Sequence, residues 1–233
     1  MVPDPSLPEY LAAEESPLGL VCLRRRAIAG DSEEVATEIT LDHQFLMSSA
    51  NTASERALAD RAVALHGGSE LSVLVGGLGL GYTAHAVLAS PRVARLEVVE
   101  YLEPVIGWLR TGRLPLSAEL ARDDRFAVAH GDVYARLAAE PGAPYDLILI
   151  DVDHSPDEPL GHESDSFYGE GGLARARRHL APGGVFGVWS YAESPHFAAT
   201  LARVFAETWV EPVRFENRLL GDQETNWLFF ARG

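Results

Sequence analysis

The chain has 233 residues, of which 47% are hydrophobic, and it carries a formal net charge of −15. This length is enough for one sizeable core and short for two, so we expect one main unit with a small appendage. A surface with this much negative charge repels polyanions and attracts cations. It therefore argues against nucleic acid as a partner and favours a cationic small molecule.

Residue usage excludes several reaction classes. Cys22 is the only cysteine, which excludes an internal disulfide, a thiolate zinc cluster and a CxxC redox pair. All 19 basic residues are arginine, and without lysine there is no Schiff-base chemistry and no P-loop lysine. No apolar run approaches the roughly 20 residues that cross a bilayer, and the opening residues lack a secretory signal pattern. We therefore expect a cytoplasmic protein that does not enter membranes.

The first part of the chain predicts a small β unit. Residues 1–17 are rich in proline and glutamate and predict a loose arm. Two β-rich segments follow within 18–47, separated by a turn-like stretch at 29–32, and they predict an antiparallel hairpin. A helix is predicted from Thr52 to His66, with Thr52 or Ser54 as its N-cap. The expected divisions are the arm, the hairpin unit with its linking helix, and a cofactor-binding catalytic domain, over 1–17, 18–66 and 67–233.

After residue 67 short apolar runs alternate with helical stretches, which is typical of stacked βα units. The expected strands are 71–75, 95–100, 125–130, 145–151 and 184–190, with two more at one edge, 212–217 and 225–231. The expected helices lie near 82–89, 103–111, 133–139, 170–180 and 195–207. The fold class predicted is α/β, with a Rossmann-like, seven-stranded, mostly parallel sheet covered by helices on both faces.

The sharpest local signal is a glycine-dense turn between a strand and a helix, with Gly76, Gly77, Gly79 and Gly81. Glycine permits a tight turn and a close backbone approach to a ligand. Glu100 ends the next apolar strand, 19 residues beyond Gly81, where a carboxylate can accept both hydroxyl hydrogens of a ribose. Together these features predict a nucleotide-type cofactor.

Two further acids follow strand ends. Asp132 comes just past the third strand, where it could accept a hydrogen bond from an adenine amine, and Asp151 ends the fourth. Parallel strands present their carboxyl ends at one edge of the sheet, which is where open α/β sheets bind ligands. We therefore expect the glycine turn, Glu100, Asp132 and Asp151 to face one crevice.

At these residues the chain resembles class I S-adenosylmethionine-dependent methyltransferases and, within them, the spermidine synthase (aminopropyltransferase) branch. The resemblance runs from about Leu18 to the C-terminus. Its motifs are LDHQFLMSS, VLVGGLGLG, VVEYLEPVIGW, HGDVYARL, YDLILIDVDHSP and RRHLAPGGVFGVWS. It implies that Glu100 holds the ribose, that Asp132 holds the adenine amine, that Asp151 lies at the mouth of the active site, and that Gln44 touches the cofactor's tail. It also implies a homodimer.

The chain departs from this branch at three places. The usual GGGDGG turn has no acid here, the usual Asp-Ser-Ser-Asp-Pro loop is replaced by 151–156, and the usual Tyr-His-Glu run is replaced by residues 49–55. These changes bear on polyamine specificity. They leave the predicted cofactor cleft intact.

Residues 151–170 contain seven acids and no arginine: Asp151, Asp153, Asp157, Glu158, Glu163, Asp165 and Glu170. Such a loop could hold the ammonium groups of a polyamine while one carboxylate accepts a proton from the attacking nitrogen. We predict Asp151 as this base and Asp153 as the second choice. Two other interpretations stay open, a solvated lid without chemistry and a partial Mg²⁺ site, for which no third ligand can be named, so no metal is predicted.

Three functions remain on sequence alone. The first transfers an aminopropyl group from decarboxylated S-adenosylmethionine to a polyamine-type amine and releases methylthioadenosine. The second transfers a methyl group from S-adenosylmethionine to a small molecule and releases S-adenosylhomocysteine. The third is a nucleoside-binding relative without catalysis, and fold alone does not choose among them.

Overall fold

The computed structural model describes residues 8–28, 31–152, 155–158, 167–218 and 221–233, with only the backbone of 31–33. The strands are β1 Glu9–Ser16, β2 Gly19–Ile28, β3 Asp31–Leu41, β4 Gln44–Ser48, β5 Leu71–Gly76, β6 Val93–Glu100, β7 Phe126–His130, β8 Tyr145–Ile150, β9 Leu180–Ser190, β10 Glu207–Glu216 and β11 Gln223–Arg232. The helices are α1 Ala53–His66, α2 Tyr82–Ala89, α3 Glu103–Arg110, α4 Ser117–Arg122, α5 Val133–Ala138, α6 Glu170–Arg177 and α7 Pro195–Val204.

The larger sheet has seven strands in the order β10-β11-β9-β8-β5-β6-β7. The five strands from β9 to β7 are parallel, and β11 and β10 join antiparallel at the β9 side. From β5 the chain continues on one side of the sheet to β6 and β7 and then crosses to β8 on the other side of β5. The crevice of the sheet therefore opens at the carboxyl ends of these strands. The predicted α/β fold class is confirmed.

Helices cover both faces of this sheet, because alternate residues of its strands are apolar on opposite sides. In β5, Val73 and Val75 pack with α1, α2 and α3, whereas Leu74 packs on the other face with α5, α6 and α7. Helix α1 contacts β8, β9 and β11, so its first turn lies beside the crevice. No helix in the described part of the chain is long and apolar enough to span a membrane.

The N-terminal sheet is larger than the predicted hairpin, with four antiparallel strands in the order β1-β2-β3-β4. The expected loose arm is wrong for Glu9–Ser16, which forms β1 and pairs with β2. The prolines on either side of it and its own acidic residues hid the strand. Strand β1 is stabilised by its pairing with β2 and by a hydrogen bond of 2.7 Å that the indole N–H of Trp108 in α3 donates to Glu14 Oε1.

Two other elements differ from the prediction. The segment expected as one β-rich run after residue 32 breaks into β3 and β4 at Asp42 and His43, whose φ angles are +47° and +68°. Neither residue is glycine, so the turn carried no obvious signal. Helix α4 was also missed, because it buries only one apolar residue, Leu120, and so shows no periodic apolar stripe.

Candidate functional site

A cleft of about 660 Å³ lies at the carboxyl ends of β5, β6, β7 and β8. The N-terminal sheet and the β10–β11 hairpin form its other walls. Five of the residues predicted from the strand ends line it: Gly77, Gly79, Glu100, Asp132 and Asp151. The structure therefore brings together the glycine turn and the three acids on one hollow.

The glycine turn is required by packing as well as by the cleft. Gly77 has a φ of +93°, and a Cβ placed on it would lie 2.2 Å from the carbonyl oxygen of Asp151. Gly79 has a φ of +51°, and its Cβ would lie 2.4 Å from Met47 Sδ. These two glycines let the end of β8 and strand β4 approach the turn. We expected ligand approach to be the reason for glycine, and close contact within the protein is a second one.

Gly76 and Gly81 were predicted with the other glycines, but neither lines the cleft. Gly76 is the last residue of β5 and faces the side chain of Val133, to which an added Cβ would come within 2.8 Å. Gly81 precedes α2 and faces Leu120, with an added Cβ at 2.7 Å. Both glycines shape the turn through packing contacts outside the cleft.

Glu100 is buried at the floor of the cleft, with 6% of its surface exposed. Its two carboxylate oxygens accept hydrogen bonds at 2.7 Å from the backbone N–H groups of Leu78 and Leu102. Burial raises the pKa of Glu100, while these backbone donors act in the opposite direction. Each carboxylate oxygen has a second lone pair, so Glu100 can hold the glycine turn and still accept from a ligand hydroxyl.

Asp132 is the N-cap of α5. Its Oδ1 accepts a hydrogen bond at 2.8 Å from the backbone N–H of Tyr134. This bond fixes the carboxylate at the end of β7, where Asp132 and the neighbouring Gly131 line the cleft.

Asp151 follows β8 and lies against α2. Its Oδ2 accepts a hydrogen bond from the hydroxyl of Thr83. Burial raises the pKa of Asp151 to about 6, although the Thr83 hydroxyl lowers it. Asp151 is therefore ionised at neutral pH and becomes protonated just below it. Asp153, the second predicted base, lies outside the described residues.

Gln44 is not brought to the cleft. It is the first residue of β4, directly after the turn at Asp42 and His43, and its side chain is exposed. The β4 residues that line the cleft instead are Phe45, Leu46, Met47 and Ser48. The resemblance identified the strand that borders the cleft. The turn before β4 sets the register so that other side chains of this strand face the cleft.

Glu55 in the first turn of α1 lines the cleft and was not predicted. It is 8% exposed, and its Oε2 accepts a hydrogen bond at 2.9 Å from the hydroxyl of Ser54. That hydroxyl in turn accepts from the amide of Asn226 in β11 at 2.8 Å. Glu55 lies on the same stripe of α1 as buried Leu58, and an acid on an apolar stripe was the signal available in the sequence.

The outer part of the cleft is lined mainly by apolar and aromatic side chains, including Phe45, Trp189, Tyr191 and Phe215. Trp108 of α3 is 1% exposed and is not among the lining residues.

A polar chain interrupts this apolar wall on the hairpin side. Asn51 donates from Nδ2 to Asn217 Oδ1 at 3.0 Å, and Asn217 donates from Nδ2 to Glu224 Oε1 at 2.8 Å. All three residues line the cleft. Glu224 thus adds a third carboxylate to those of Glu55 and Asp151.

The acidic loop is described only in part. Glu158 accepts a hydrogen bond at 2.6 Å from the hydroxyl of Tyr191, and Asp157 is exposed beside it. Glu163 and Asp165 lie outside the described residues, as does His154. Among the residues that the structure does describe, no three His, Cys, Asp or Glu side chains form a group able to hold a metal ion.

The fold and the cleft define a Rossmann-like α/β protein with an open crevice at the carboxyl ends of its parallel strands. Two solved structures show which known proteins share this fold. Spermidine synthase in complex with the transition-state analogue AdoDATO superposes with a TM-score of 0.77 at 18% identity, over 96% of this chain and 73% of that one. Spermidine synthase from Thermotoga maritima gives 0.75 at 18% identity, over 96% and 72%. The chain has the spermidine synthase fold.

The sequence relatives agree. Polyamine aminopropyltransferase 2 of Streptomyces coelicolor is 32% identical over 165 residues, which are 69% of this chain and 28% of that protein. Putrescine N-methyltransferase 4 of Nicotiana tabacum is 32% identical over 122 residues, 52% of this chain and 30% of that one. The matched segments thus span less than a third of either relative. No family model matches the chain. The chain is spermidine synthase-like in sequence and in fold.

Proposed function

We propose that this chain transfers the aminopropyl group of decarboxylated S-adenosylmethionine to a polyamine-type amine. The observation that carries the proposal is the charge distribution in the cleft. Glu100 and Asp132 offer acceptors suited to an adenosine at one end, and Glu55, Asp151 and Glu224 offer carboxylates at the other. Decarboxylated cofactor and amine acceptor both carry ammonium groups, which such an acidic end stabilises.

The residues have separate roles in this proposal. Glu100 binds the ribose hydroxyls with the lone pairs that its backbone donors leave free, and Asp132 accepts from the adenine amine. Gly77 and Gly79 bring the backbone close to the ligand. The bound sulfonium supplies an activated carbon, so the protein's main contribution is to position the amine and to take up its proton.

Asp151 is the proposed proton acceptor, with Asp153 as the second choice. An ammonium group must lose a proton before its nitrogen can attack. Asp151 lies at the buried end of the cleft and has a pKa raised toward neutrality, both of which suit a general base. The Thr83 hydroxyl holds its Oδ2 in place.

The resemblance to spermidine synthases supports a homodimer, and we propose a cytoplasmic location. The net charge of −15 supports small cations as ligands over nucleic acid. Sedimentation of the purified chain tests the first of these inferences, and a single species with the mass of one chain would contradict it.

Methyl transfer from S-adenosylmethionine is the second candidate. It is favoured by the match to putrescine N-methyltransferase 4 and by the lack of an acid in the glycine turn. The ordinary cofactor ends in a zwitterion whose carboxylate would meet Glu55 and Asp151, and this repulsion disfavours it.

Calorimetry with both forms of the cofactor, followed by product analysis with putrescine, separates the candidates. We expect decarboxylated S-adenosylmethionine to bind more tightly and methylthioadenosine to appear with the aminopropylated amine. Asp151→Asn should slow transfer by roughly 10²- to 10⁴-fold, whereas Asp157→Asn, a matched change in the same loop, should not. Preference for the carboxylated cofactor would favour methyl transfer, and binding without transfer to any amine or hydroxyl would favour a non-catalytic relative.

A further inference from the structure

Glu55 and Asp151 place two carboxyl groups close together at the buried end of the cleft. The hydroxyl of Thr83 lies between the side chain of Asp151 and the main chain of Glu55, hydrogen bonded to Asp151 Oδ2 and 3.4 Å from the main-chain oxygen of Glu55. Both side chains line the cleft. Within the described residues, neither carboxyl forms an ion pair with an arginine or histidine.

The other charged and titratable groups near Glu55 do not cancel its acidic surroundings. On α1 itself, the guanidinium of Arg56 lies over the ring of Tyr82, 5.2 Å from its centroid, and its charge lowers the pKa of Glu55 less than burial and Asp151 raise it. The phenol of Tyr82 on α2 is neutral at physiological pH, since burial raises its pKa. On β11, Glu224, a further acid, lines the same cleft.

Two neutral side chains hold the Glu55 carboxyl through hydrogen bonds. The Ser54 hydroxyl donates to its Oε2, and the amide of Asn226 orients that hydroxyl. The carboxyl is thereby held in one position whether it is protonated or ionised. It is pre-organised to receive a cation without rearranging the helix.

Two like charges in a buried site are unfavourable, so one of them takes up a proton. Burial, together with the negative charge of Asp151, raises the pKa of Glu55 to about 7. With no cation in the cleft, Glu55 is therefore partly protonated at neutral pH, because burial and the charge of Asp151 both disfavour its ionised form.

We propose that Glu55 is the proton-linked counter-ion of the ammonium group that the cleft binds, partly protonated when the cleft holds no cation and ionised when it does. Binding expels to the solvent the fraction of a proton that the Glu55 carboxyl still holds, and no covalent bond changes. The inference rests on the proposed function, because it requires a ligand that carries an ammonium group. It assigns Glu55 to the direct binding of that group.

The sign of the linkage follows from the direction of the pKa change. Bringing an ammonium next to Glu55 lowers the pKa of its carboxyl, so protons are released wherever the free cleft was still protonated. Release should be about half a proton per ligand at pH 7, larger at pH 6, where Asp151 also contributes, and close to zero at pH 8.5.

Calorimetry in buffers of different ionisation enthalpy measures the released protons directly. Decarboxylated S-adenosylmethionine is the probe, and methylthioadenosine, which has the adenosine but no ammonium, is the matched ligand. We expect pH-dependent release with the first and none with the second. Glu55→Gln should remove most of the release and weaken the first ligand roughly 10- to 100-fold at pH 8, while the second keeps its affinity within about twofold.

Glu119→Gln, an exposed acid on α4, is the control variant and should behave as the unaltered protein. Equal proton release from Glu55→Gln and the unaltered protein would overturn the assignment, as would equal release with the two ligands. The comparison of ligands uses the unaltered protein alone, so it decides the question even if the variant folds poorly. Failure of both ligands to bind would instead overturn the proposed function.

Discussion

Glu100 performs a structural task that is visible in its hydrogen bonds. Its carboxylate joins the glycine turn to the start of α3 through the N–H groups of Leu78 and Leu102. An amide side chain has one acceptor oxygen where the carboxylate has two, so it can satisfy only one of these donors and points an N–H group at the other. The geometry of the turn therefore depends on this side chain before any ligand binds.

Replacing Glu100 with Gln should accordingly affect both stability and binding. We expect the free energy of unfolding to fall by about 1–3 kcal/mol and the affinity for methylthioadenosine to drop by a comparable amount. Urea unfolding and calorimetry measure the two effects. Glu103→Gln, an exposed acid at the start of α3, is the control and should change neither by more than about 0.5 kcal/mol. Unchanged affinity in Glu100→Gln would remove Glu100 from the ribose site.

The sequence predicted some site residues better than others for a physical reason. Glu100 and Asp151 directly follow apolar strands, and parallel strands end at a common edge, so their convergence could be foreseen. Glu55 could not be placed in this way, because the direction a helix presents to a sheet depends on packing between distant segments. Gln44 was placed by resemblance alone, and the local turn decided otherwise.

At the scale of elements, strand β1 is tied to α3 by a hydrogen bond between two side chains. Glu14 accepts a hydrogen bond from the indole of Trp108, which is otherwise buried in the core beside β6. The contact joins the N-terminal sheet to α3. Since the N-terminal sheet and α3 both border the cleft, the bond also fixes the position of the cleft wall that the N-terminal sheet forms.

Glu14→Ala should leave the indole N–H without this partner and lower the free energy of unfolding by about 1 kcal/mol. Tryptophan fluorescence should report the change as a shift of the folded-state emission. Glu15→Ala alters the neighbouring exposed acid, so its unfolding midpoint should stay close to that of the unaltered protein. A loss of stability equal in both variants would show that the Trp108 contact does not hold β1.

Elements with strong periodicity were predicted closely, and short or irregular ones were not. The prediction of 82–89 coincides with α2, and that of 145–151 overlaps β8 almost completely. Helix α4 buries a single apolar residue and strand β1 lacks β-branched residues, so neither produces a pattern above background. Their formation depends on neighbours that a local pattern does not contain.

For the whole molecule, the dominant physical quantity is the net charge of −15. The field of this charge raises the local concentration of cations near an acidic cleft, and dissolved salt screens it. It acts on the rate at which a cationic ligand arrives more than on the contacts that hold it.

The association rate of decarboxylated S-adenosylmethionine should therefore fall as salt is raised from about 0.02 to 0.5 M, by roughly tenfold. The association rate of uncharged methylthioadenosine should change little over the same range. Stopped-flow fluorescence can follow both reactions, because Trp189 lines the cleft. The same salt dependence for the two ligands would mean that long-range charge plays no part.

The position of β11 within the larger sheet determines when the cleft becomes complete during synthesis. This strand is inserted between β9 and β10, and its Asn226 reaches back to Ser54, 172 residues earlier in the chain. On the ribosome, a nascent chain that has already folded its parallel strands still lacks this wall, with Glu55 not yet held through Ser54. The complete cleft, with Glu55 held through Ser54, can thus form only after β11 has emerged from the exit tunnel.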